Sequence, residues 1–297
     1  MQITVASGKG GTGKTTVATS LALSLALNNT AYPPLFLDCD VEAPNAHIYL
    51  KPKIESRKDV DILIPGIEDA KCTGCGRCAE ICEYHAIAVV NQKVLVFPQL
   101  CHGCGSCTLL CPTKAIHEVS NIIGSLEMGS TQSGIIFAQG VLNIAEPMAV
   151  PIIKQLKKWF KPEPGQVVII DAPPGTSCPV VEAARDADFL LLVTEPTPFG
   201  LHDLKLAVQV AKELNIRTGV IINRNGVGNA GVEDFCKTEE IPVLMRIPYD
   251  LTIAKGTAQG QPLVEIYPEY SSLFQQVFHF LTENEHKLRK IMIKRWK

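Results

Sequence analysis

A glycine-rich stretch near the start of the sequence, GKGGTGKTT at residues 8–16, constrains the fold more strongly than any other feature. Gly8 to Thr15 fit the pattern G-x-x-x-x-G-K-[ST], with a strand-like run, QITVAS, before them and a helix-like run, TTVATSLALSLAL, after them. A strand, a glycine loop and a helix in this order turn successive backbone N–H groups toward one point, and the helix N-terminus adds positive potential there. The stretch therefore predicts a phosphate-binding loop at the carboxyl end of a strand.

Other short apolar runs, together with the helical patterns between them, indicate the fold class. The runs that predict strands are LFLDCD (35–40), QVVIID (166–171), DFLLLVTE (188–195), GVIINR (219–224) and PVLMRI (242–247). Helical patterns lie between them, such as VPIIKQLKKWF, CPVVEAARDA and GLHDLKLAVQVAKELN. Apolar strands that alternate with helices predict an α/β domain with a doubly wound, mostly parallel sheet, whose ligands bind at the carboxyl ends of the strands. Residues 129–148 are expected to add a strand and a surface that faces either a partner or the cysteine-rich part of the chain.

The composition limits the kinds of function that the protein is expected to have. The 297 residues are 46% hydrophobic and 20% charged with a formal net charge of −2, which is ordinary for a soluble globular protein and does not favour nucleic-acid binding. No apolar run reaches the length of a membrane span. Eight of the 11 cysteines lie between residues 72 and 111. This clustering without a secretory signal predicts metal ligation in a reducing compartment, so we expect a cytoplasmic protein.

The alternation of strands and helices stops between residues 65 and 120, where an internal repeat appears. KCTGCGRCAEICEYHAI (71–87) matches LCHGCGSCTLLCPTKAI (100–116) at an offset of 29 residues. The repeat is too rich in cysteine and too poor in long apolar runs to belong to the main sheet. We interpret residues 65–120 as a small α+β domain inserted into a discontinuous domain of residues 1–64 and 121–297.

Each half of the repeat has four cysteines in the spacing C-x2-C-x2-C-x3-C, and Pro112 completes the C-P ending of the second half. This spacing resembles that of bacterial ferredoxins, in which the fourth cysteine of each run binds the other cluster. The resemblance implies two 4Fe-4S clusters, one held by Cys72, Cys75, Cys78 and Cys111 and the other by Cys101, Cys104, Cys107 and Cys82. Zinc is the alternative, although zinc sites usually combine two C-x2-C pairs across a longer gap. Glycines within the runs are expected to let the backbone wrap closely around the sulfur atoms: Gly74, Gly76, Gly103 and Gly105.

If the loop binds phosphates, residues in it and at the ends of other strands have expected roles in nucleotide chemistry. Lys14 is expected to reach the β and γ phosphates, and the Thr15 hydroxyl is expected to ligate Mg²⁺. Asp171 ends the run QVVIID in the position of the Walker B carboxylate that supports Mg²⁺, with helix capping as the alternative. Asp38 and Asp40 end another run, where one carboxylate can orient the attacking water and the other can support the metal shell.

GKGGTGKTT, DCDVEAPN and DAPPG together resemble the MinD/ParA/Mrp/nitrogenase-iron-protein group of P-loop ATPases, whose loop carries an additional lysine in the form K-G-G-x-G-K-[ST]. The resemblance implies that Lys9 reaches across an ATP-dependent homodimer to the phosphates of the partner subunit, and that Asp40 positions the water. It also places Asn223 against adenine and the backbone of residues 248–250 in the base pocket. The expected catalytic residues are then Lys9, Lys14, Asp40 and Asp171. The expected nucleotide contacts are Gly8, Gly10, Gly11, Thr12, Gly13, Lys14, Thr15, Thr16, Asp38, Gly175, Asn223, Pro248 and Asp250.

Taken together, the motifs resemble MinD-superfamily ATPases with an inserted ferredoxin domain. The leading hypothesis is ATP-gated electron transfer to an unidentified redox partner. An iron–sulfur carrier or scaffold of the Mrp type is the first alternative, although no cysteine follows Cys236. A positioning ATPase of the MinD or ParA kind is the second. Its support is the basic tail HKLRKIMIKRWK, which suits either an anionic membrane surface or the solvated end of the last helix.

Three cysteines lie outside the repeat. Cys178 follows Asp171 by seven residues, and a cysteine at this offset in the nitrogenase iron protein binds a cluster shared between subunits. That protein uses a second cysteine upstream of its Walker B strand, and residues 112–170 contain no cysteine here. We therefore expect Cys178 to be a small buried thiol rather than a ligand of a bridging cluster. Cys39 and Cys236 are expected to be core or incidental thiols.

Overall fold

The computed structural model describes residues 1–27 and 32–295, with side chains described as far as Glu283. Its strands are β1 (Gln2–Ala6), β2 (Leu35–Asp38), β3 (Lys53–Ile67), β4 (Ile87–Val90), β5 (Lys93–Val96), β6 (Ile116–Ser130), β7 (Ile136–Leu142), β8 (Val168–Asp171), β9 (Phe189–Thr194), β10 (Arg217–Asn225) and β11 (Val243–Pro248). Its helices are α1 (Lys14–Ala26), α2 (Ala46–Leu50), α3 (Arg77–Glu80), α4 (Ser106–Leu109), α5 (Val150–Trp159), α6 (Cys178–Ala184), α7 (Pro198–Glu213), α8 (Gly231–Thr238), α9 (Leu251–Ala258), α10 (Leu263–Ile266) and α11 (Glu269–Arg295). A 3-10 turn covers Pro98–Leu100.

Nine strands within the described residues form one sheet in the order β11-β10-β9-β1-β8-β2-β7-β6-β3. From β11 to β7 every neighbouring pair is parallel. Strands β6 and β3 complete one edge in antiparallel pairing. The six apolar runs that were predicted as strands all lie in the parallel part, and β7 supplies the strand that was expected within residues 129–148. The prediction of a mostly parallel α/β sheet is therefore confirmed.

Helices cover both faces of the parallel strands. Alternate strand residues point to opposite faces, so Ile3 and Val5 join one core while Ala6 joins the other. Phe36, on β2, belongs to the core shared with α1 and α11, whereas its neighbour Leu37 faces α5 and α6. Because both faces are covered, the central strands are apolar at nearly every position. Polar side chains are thus left at the carboxyl ends of the strands, where the candidate site lies.

Strands β3 and β6 pair along nearly their whole length, from Lys53 opposite Ser130 to Ile67 opposite Ile116. Strand β7 covers β6 only from Gly124 onward, so residues 61–67 and 116–123 continue beyond the sheet as a two-stranded extension, which we call the arm. The expected domain boundaries at residues 65 and 120 fall inside this arm. The irregular chain that contains the cysteine repeat, residues 68–115, is called the cysteine segment. The division of the chain into domains stays a prediction.

The C-terminal helix α11 packs against α1. Phe274 and Leu281 are fully buried in the core that also contains Leu21 and Leu25. The side chains of the basic tail, Lys287, Arg289, Lys290, Lys294, Arg295 and Lys297, lie outside the described residues. In the part of the chain that the structure describes, no helix combines the length and the apolar character needed to cross a bilayer.

Candidate functional site

The glycine loop between β1 and α1 requires glycine at positions where the backbone is crowded or left-handed. Gly13 has φ +91°, and a Cβ there would lie 2.4 Å from the side-chain nitrogen of Asn223. A Cβ on Gly8 would lie 2.3 Å from the carbonyl oxygen of Asp203. Gly10, by contrast, faces open space. The amide of Asn223 donates to the carbonyl oxygen of Thr12 at 2.8 Å, so β10 holds the loop in place.

Two side chains from the start of α1 converge on the carboxylate at the end of β8. Lys14 Nζ donates to Asp171 Oδ1 at 2.5 Å, and Thr15 Oγ1 donates to Asp171 Oδ2 at 2.6 Å. Asp171 is fully buried, and these partners are side chains rather than a helix N-terminus. Burial lowers the pKa of Lys14, but the Asp171 and Asp40 carboxylates outweigh it and raise that pKa above its ordinary value. Lys14 is therefore charged at neutral pH.

The two aspartates that follow β2 have different surroundings. Asp38 is fully buried, and its carboxylate accepts the backbone N–H groups of Asp40, Asn45 and Ala46 at 3.0–3.1 Å. Burial and the neighbouring Asp171 carboxylate raise the pKa of Asp38 to about 7. Asp38 therefore fixes the loop of residues 39–46 from beneath.

Asp40 lies on the accessible side of this loop, with its carboxylate 3.8 Å from Lys14 Nζ. Burial raises the pKa of Asp40 to about 6, and the charge of Lys14 opposes that shift. Asp40 is thus mostly ionised at neutral pH and can accept a hydrogen bond from a group in the pocket.

An open pocket of about 310 Å³ runs from the glycine loop to the end of β11. The predicted site residues that line it are Lys9, Gly10, Gly11, Gly13, Lys14, Thr15, Thr16, Asp40, Asn223, Pro248 and Asp250. The others, Gly8, Thr12, Asp38, Asp171 and Gly175, lie around or beneath the lining. The N–H of Gly175 donates to the carbonyl oxygen of Ser7 at 2.9 Å. The structure thus brings most of the predicted loop residues together in one pocket.

The lining of the pocket also contains residues that the sequence did not indicate. Tyr49, from α2, lines it and donates to the carbonyl oxygen of Thr257 at 3.3 Å. Arg224 lines it directly after Asn223. The side-chain oxygen of Asn45, also in the lining, is buried and has no hydrogen-bond partner among the described residues. A polar ligand in the pocket could satisfy this oxygen.

Lys9 is held at the edge of the pocket by an ion pair. Its Nζ lies 3.4 Å from Glu195 Oε2, and the Lys9 side chain is 33% exposed. The other carboxylate oxygen of Glu195 lies 2.5 Å from Arg224 Nη1. Lys9 is therefore paired with a carboxylate of the same chain, a contact that no motif predicted.

The eight cysteines of the cysteine segment line two separate pockets. One pocket is lined by Cys72, Cys75, Cys78 and Cys111. The other is lined by Cys82, Cys101, Cys104 and Cys107. The structure therefore brings together the two sets that were predicted, each with three cysteines from one half of the repeat and one from the other.

The repeat in the sequence is also a repeat in the local structure. The N–H of Ala86 donates to Cys82 Sγ, and the N–H of Ala115 donates to Cys111 Sγ, both at 3.3 Å. Each of the four predicted glycines has a positive φ: Gly74, Gly76, Gly103 and Gly105. The halves thus present their cysteines through the same backbone geometry. Among the described residues, no group of three His, Cys, Asp or Glu side chains lies close enough to share a single metal ion.

The three cysteines outside the repeat differ in how far their side chains are buried. Cys39 and Cys236 are buried, as expected of core thiols. Cys178 is exposed at the first position of α6, so the expectation of a buried thiol there is wrong. The cause is local, because the loop before α6 lies at the surface beside the pocket rather than under a layer of helices.

The fold and the pocket define a P-loop nucleotide-binding protein of the doubly wound α/β class. Residues 3–263 match the family model of the CobQ/CobB/MinD/ParA nucleotide binding domain. Because this match covers most of the chain, the protein belongs to that family, which includes the MinD and ParA ATPases.

Individual relatives extend the comparison. The chain is 29% identical over 289 residues to an uncharacterized protein of Methanocaldococcus jannaschii, covering 95% of this chain and 97% of that one. It is 24% identical over 285 residues to an iron-sulfur cluster carrier protein of Aquifex aeolicus, covering 90% of this chain and 62% of that protein. Among solved structures, the septum site-determining protein MinD of Pyrococcus horikoshii, complexed with Mg-ADP, has a TM-score of 0.56. That match is 22% identical and covers 98% of this chain and 97% of the other, which shows a shared fold.

Proposed function

We propose that the protein is an ATP-hydrolysing dimerisation switch that carries two 4Fe-4S clusters and gates electron transfer from them to a redox partner. The observation that carries this proposal is a continuous set of contacts from the loop of Asp40, at the nucleotide pocket, to the arm that holds the cysteine segment. The family membership supports the nucleotide chemistry, and the paired cysteine pockets support the clusters.

The residues of the pocket fit a magnesium nucleotide. Three carboxylates, Asp38, Asp40 and Asp171, surround one lysine, so a bound cation would offset their excess negative charge. Thr15 and Asp171 are the residues that would hold Mg²⁺, whose role is to neutralise phosphate charge. Lys14 would then turn from Asp171 to the phosphates, and Asp40 would orient the attacking water through its ionised carboxylate.

Backbone contacts connect the Asp40 loop to the arm. Val41, next to Asp40, accepts the N–H of Leu142 at the end of β7 at 2.8 Å. Asn143 then donates its backbone N–H to Ile123 at 2.9 Å and its side-chain amide to Ile122 at 3.1 Å. Ile122 and Ile123 lie where β6 leaves the sheet to form the arm. A shift of the Asp40 loop on nucleotide binding would therefore be transmitted to the base of the arm through a contiguous path.

The cysteine pockets fit iron–sulfur clusters in the chemistry of their donors and their surroundings. Thiolates are the preferred ligands of such clusters, and the backbone N–H groups of Ala86 and Ala115 are already directed at sulfur. Apolar side chains complete the linings, including Ile81 and Ile87 in one pocket and Val94 in the other. Clusters held in this way would supply one-electron transfer.

Double substitutions test the crossed ligand sets. Cys82→Ala alone should reduce the iron content from about eight to about four atoms per chain. Adding Cys104→Ala, in the same pocket, should cause no further loss, whereas adding Cys75→Ala, in the other pocket, should remove the remaining iron. The reverse pattern would mean that each half of the repeat binds its own cluster, and zinc in place of iron would refute the cluster assignment.

Stopped-flow oxidation tests the gating. Clusters reduced with dithionite are mixed with a small-molecule oxidant, in the presence of a slowly hydrolysed ATP analogue, ADP or no nucleotide. The proposal expects a different rate with the ATP analogue, and it expects that difference to disappear in Lys14→Ala. Equal rates in all three nucleotide states of the parent protein would refute gating.

An iron–sulfur cluster carrier is the second candidate, favoured by the similarity to the carrier protein of Aquifex aeolicus. A carrier must release its cluster to a recipient, whereas the cysteines here lie in two pockets within a repeated backbone framework. Transfer of radiolabelled iron to an apo-ferredoxin on the timescale of ATP turnover would favour this candidate over gated electron transfer.

A further inference from the structure

Three charged residues meet at the carboxyl ends of three neighbouring strands. Lys9 follows β1, Glu195 follows β9, and Arg224 lies near the end of β10. The sheet places these strands side by side, with Ala6 opposite Leu192 and Thr194 opposite Ile222. The Glu195 side chain is only 9% exposed, whereas those of Lys9 and Arg224 are 33% and 51% exposed. A nearly buried carboxylate thus binds two more exposed cations, one on each oxygen.

We infer that Glu195 and Arg224 are positioning residues that set how readily Lys9 leaves its own subunit to enter the partner's nucleotide site. This inference rests on the proposed function, in which Lys9 contacts the phosphates bound by a second copy of the chain. In the single chain Lys9 is 3.4 Å from Glu195. Dimerisation therefore requires that this ion pair open once in each subunit.

Arg224 determines what happens to Glu195 when Lys9 leaves. If Lys9 were the only cation near Glu195, its departure would leave a carboxylate that is 9% exposed without a counter-charge, which is strongly destabilising. Arg224 remains on the other oxygen at 2.5 Å, the shorter of the two contacts, so Glu195 keeps a partner after the release of Lys9. Arg224 therefore favours the release of Lys9, whereas the charge of Glu195 opposes it.

The two residues should consequently change dimerisation in opposite directions. Glu195→Gln removes the charge that retains Lys9. Because the Lys9 side of this ion pair is open to solvent, the pair should contribute only about two- to fivefold to an equilibrium. Because two pairs open per dimer, the dissociation constant of the ATP-bound dimer should fall roughly four- to 25-fold. Arg224→Gln leaves Lys9 as the partner of a nearly buried carboxylate, so the same constant should rise at least about tenfold.

Sedimentation equilibrium of the cluster-loaded protein, saturated with a slowly hydrolysed ATP analogue, measures this constant. Arg224 also lines the nucleotide pocket, so the affinity of dilute monomer for a fluorescent ATP analogue is measured separately. Glu233→Gln is the matched control, because Glu233 forms an ion pair with Arg246 away from the pocket at 2.6 Å. This control should leave dimerisation unchanged.

The double variant of Glu195→Gln and Arg224→Gln tests whether Arg224 acts through Glu195. It should dimerise as tightly as Glu195→Gln alone, since Arg224 has no carboxylate left to stabilise. If the parent dimerises but the two single variants shift in the same direction, or not at all, the inference is refuted while the proposed function stands. If the parent remains monomeric with the ATP analogue and Lys9→Ala behaves the same, the proposed function fails first.

Discussion

Replacing Gly13 by alanine should destabilise the nucleotide-free protein for two structural reasons. Gly13 has φ +91°, where a residue with a Cβ is strained by about 1–2 kcal/mol. The new Cβ would also lie 2.4 Å from the side-chain nitrogen of Asn223, which must move and give up its hydrogen bond to Thr12. A lost hydrogen bond of this type costs about 1 kcal/mol. The expected loss in the free energy of unfolding is therefore about 2–3 kcal/mol.

Gly10→Ala is the control in the same loop. A Cβ on Gly10 meets no atom within 4 Å, so this variant should stay within about 0.5 kcal/mol of the parent or gain slightly from a less flexible unfolded chain. Anaerobic urea unfolding without nucleotide, followed by circular dichroism, compares the midpoints of both variants at equal slope. If Gly13→Ala and Gly10→Ala unfold at the same urea concentration, the contact between the loop and Asn223 does not support the loop as described.

Further predictions concern the carboxylates and the path to the arm. Asp171→Asn leaves Lys14 buried without its nearest counter-charge and should lower the free energy of unfolding by about 3 kcal/mol in the same urea titration, and it should abolish the dependence of nucleotide binding on Mg²⁺. Burial beside Asp171 raises the pKa of Asp38 to about 7, so the folded protein retains a proton that the unfolded chain has released. Stability should therefore fall by about 1 kcal/mol between pH 6 and pH 8, and Asp38→Asn should flatten this slope. Asn143→Ala removes the side-chain bond to Ile122 and should weaken the effect of ATP on cluster oxidation without changing the rate of ATP hydrolysis.

The parallel part of the fold was predictable because its strands are covered on both faces. Strands such as β2 (LFLD) and β9 (FLLLVT) are apolar at every position but the last for that reason, and the glycine loop fixes where β1 ends and α1 begins. Strands β3 and β6 were not predicted, because they lie at an edge of the sheet and mix charged with apolar residues, as in KIESRKDVDILI of β3. Such a run resembles a loop when it is read alone.

In the site, too, features that depend on neighbouring residues could be predicted, whereas features that depend on distant parts of the sequence could not. The phosphate loop and the cysteine spacings are local patterns, so the sequence could group Lys14 with Thr15 and could group the cysteines into the two sets that line separate pockets. The surroundings of Asp38 and Glu195 depend on which strands are neighbours, and a single sequence does not contain that order. Asp38 was grouped with Asp40 as a nucleotide contact, yet it binds three backbone N–H groups beneath the pocket.

If nucleotide binding gates the clusters, the nucleotide pocket and the cysteine segment must respond to each other. Redox titration of the cluster-loaded protein, followed by electron paramagnetic resonance, tests this claim most directly when it is performed with and without a slowly hydrolysed ATP analogue. The midpoint potential or the spectrum of at least one cluster should change when the analogue is bound. Identical potentials and spectra in a protein that has demonstrably bound the analogue and dimerised would contradict this claim.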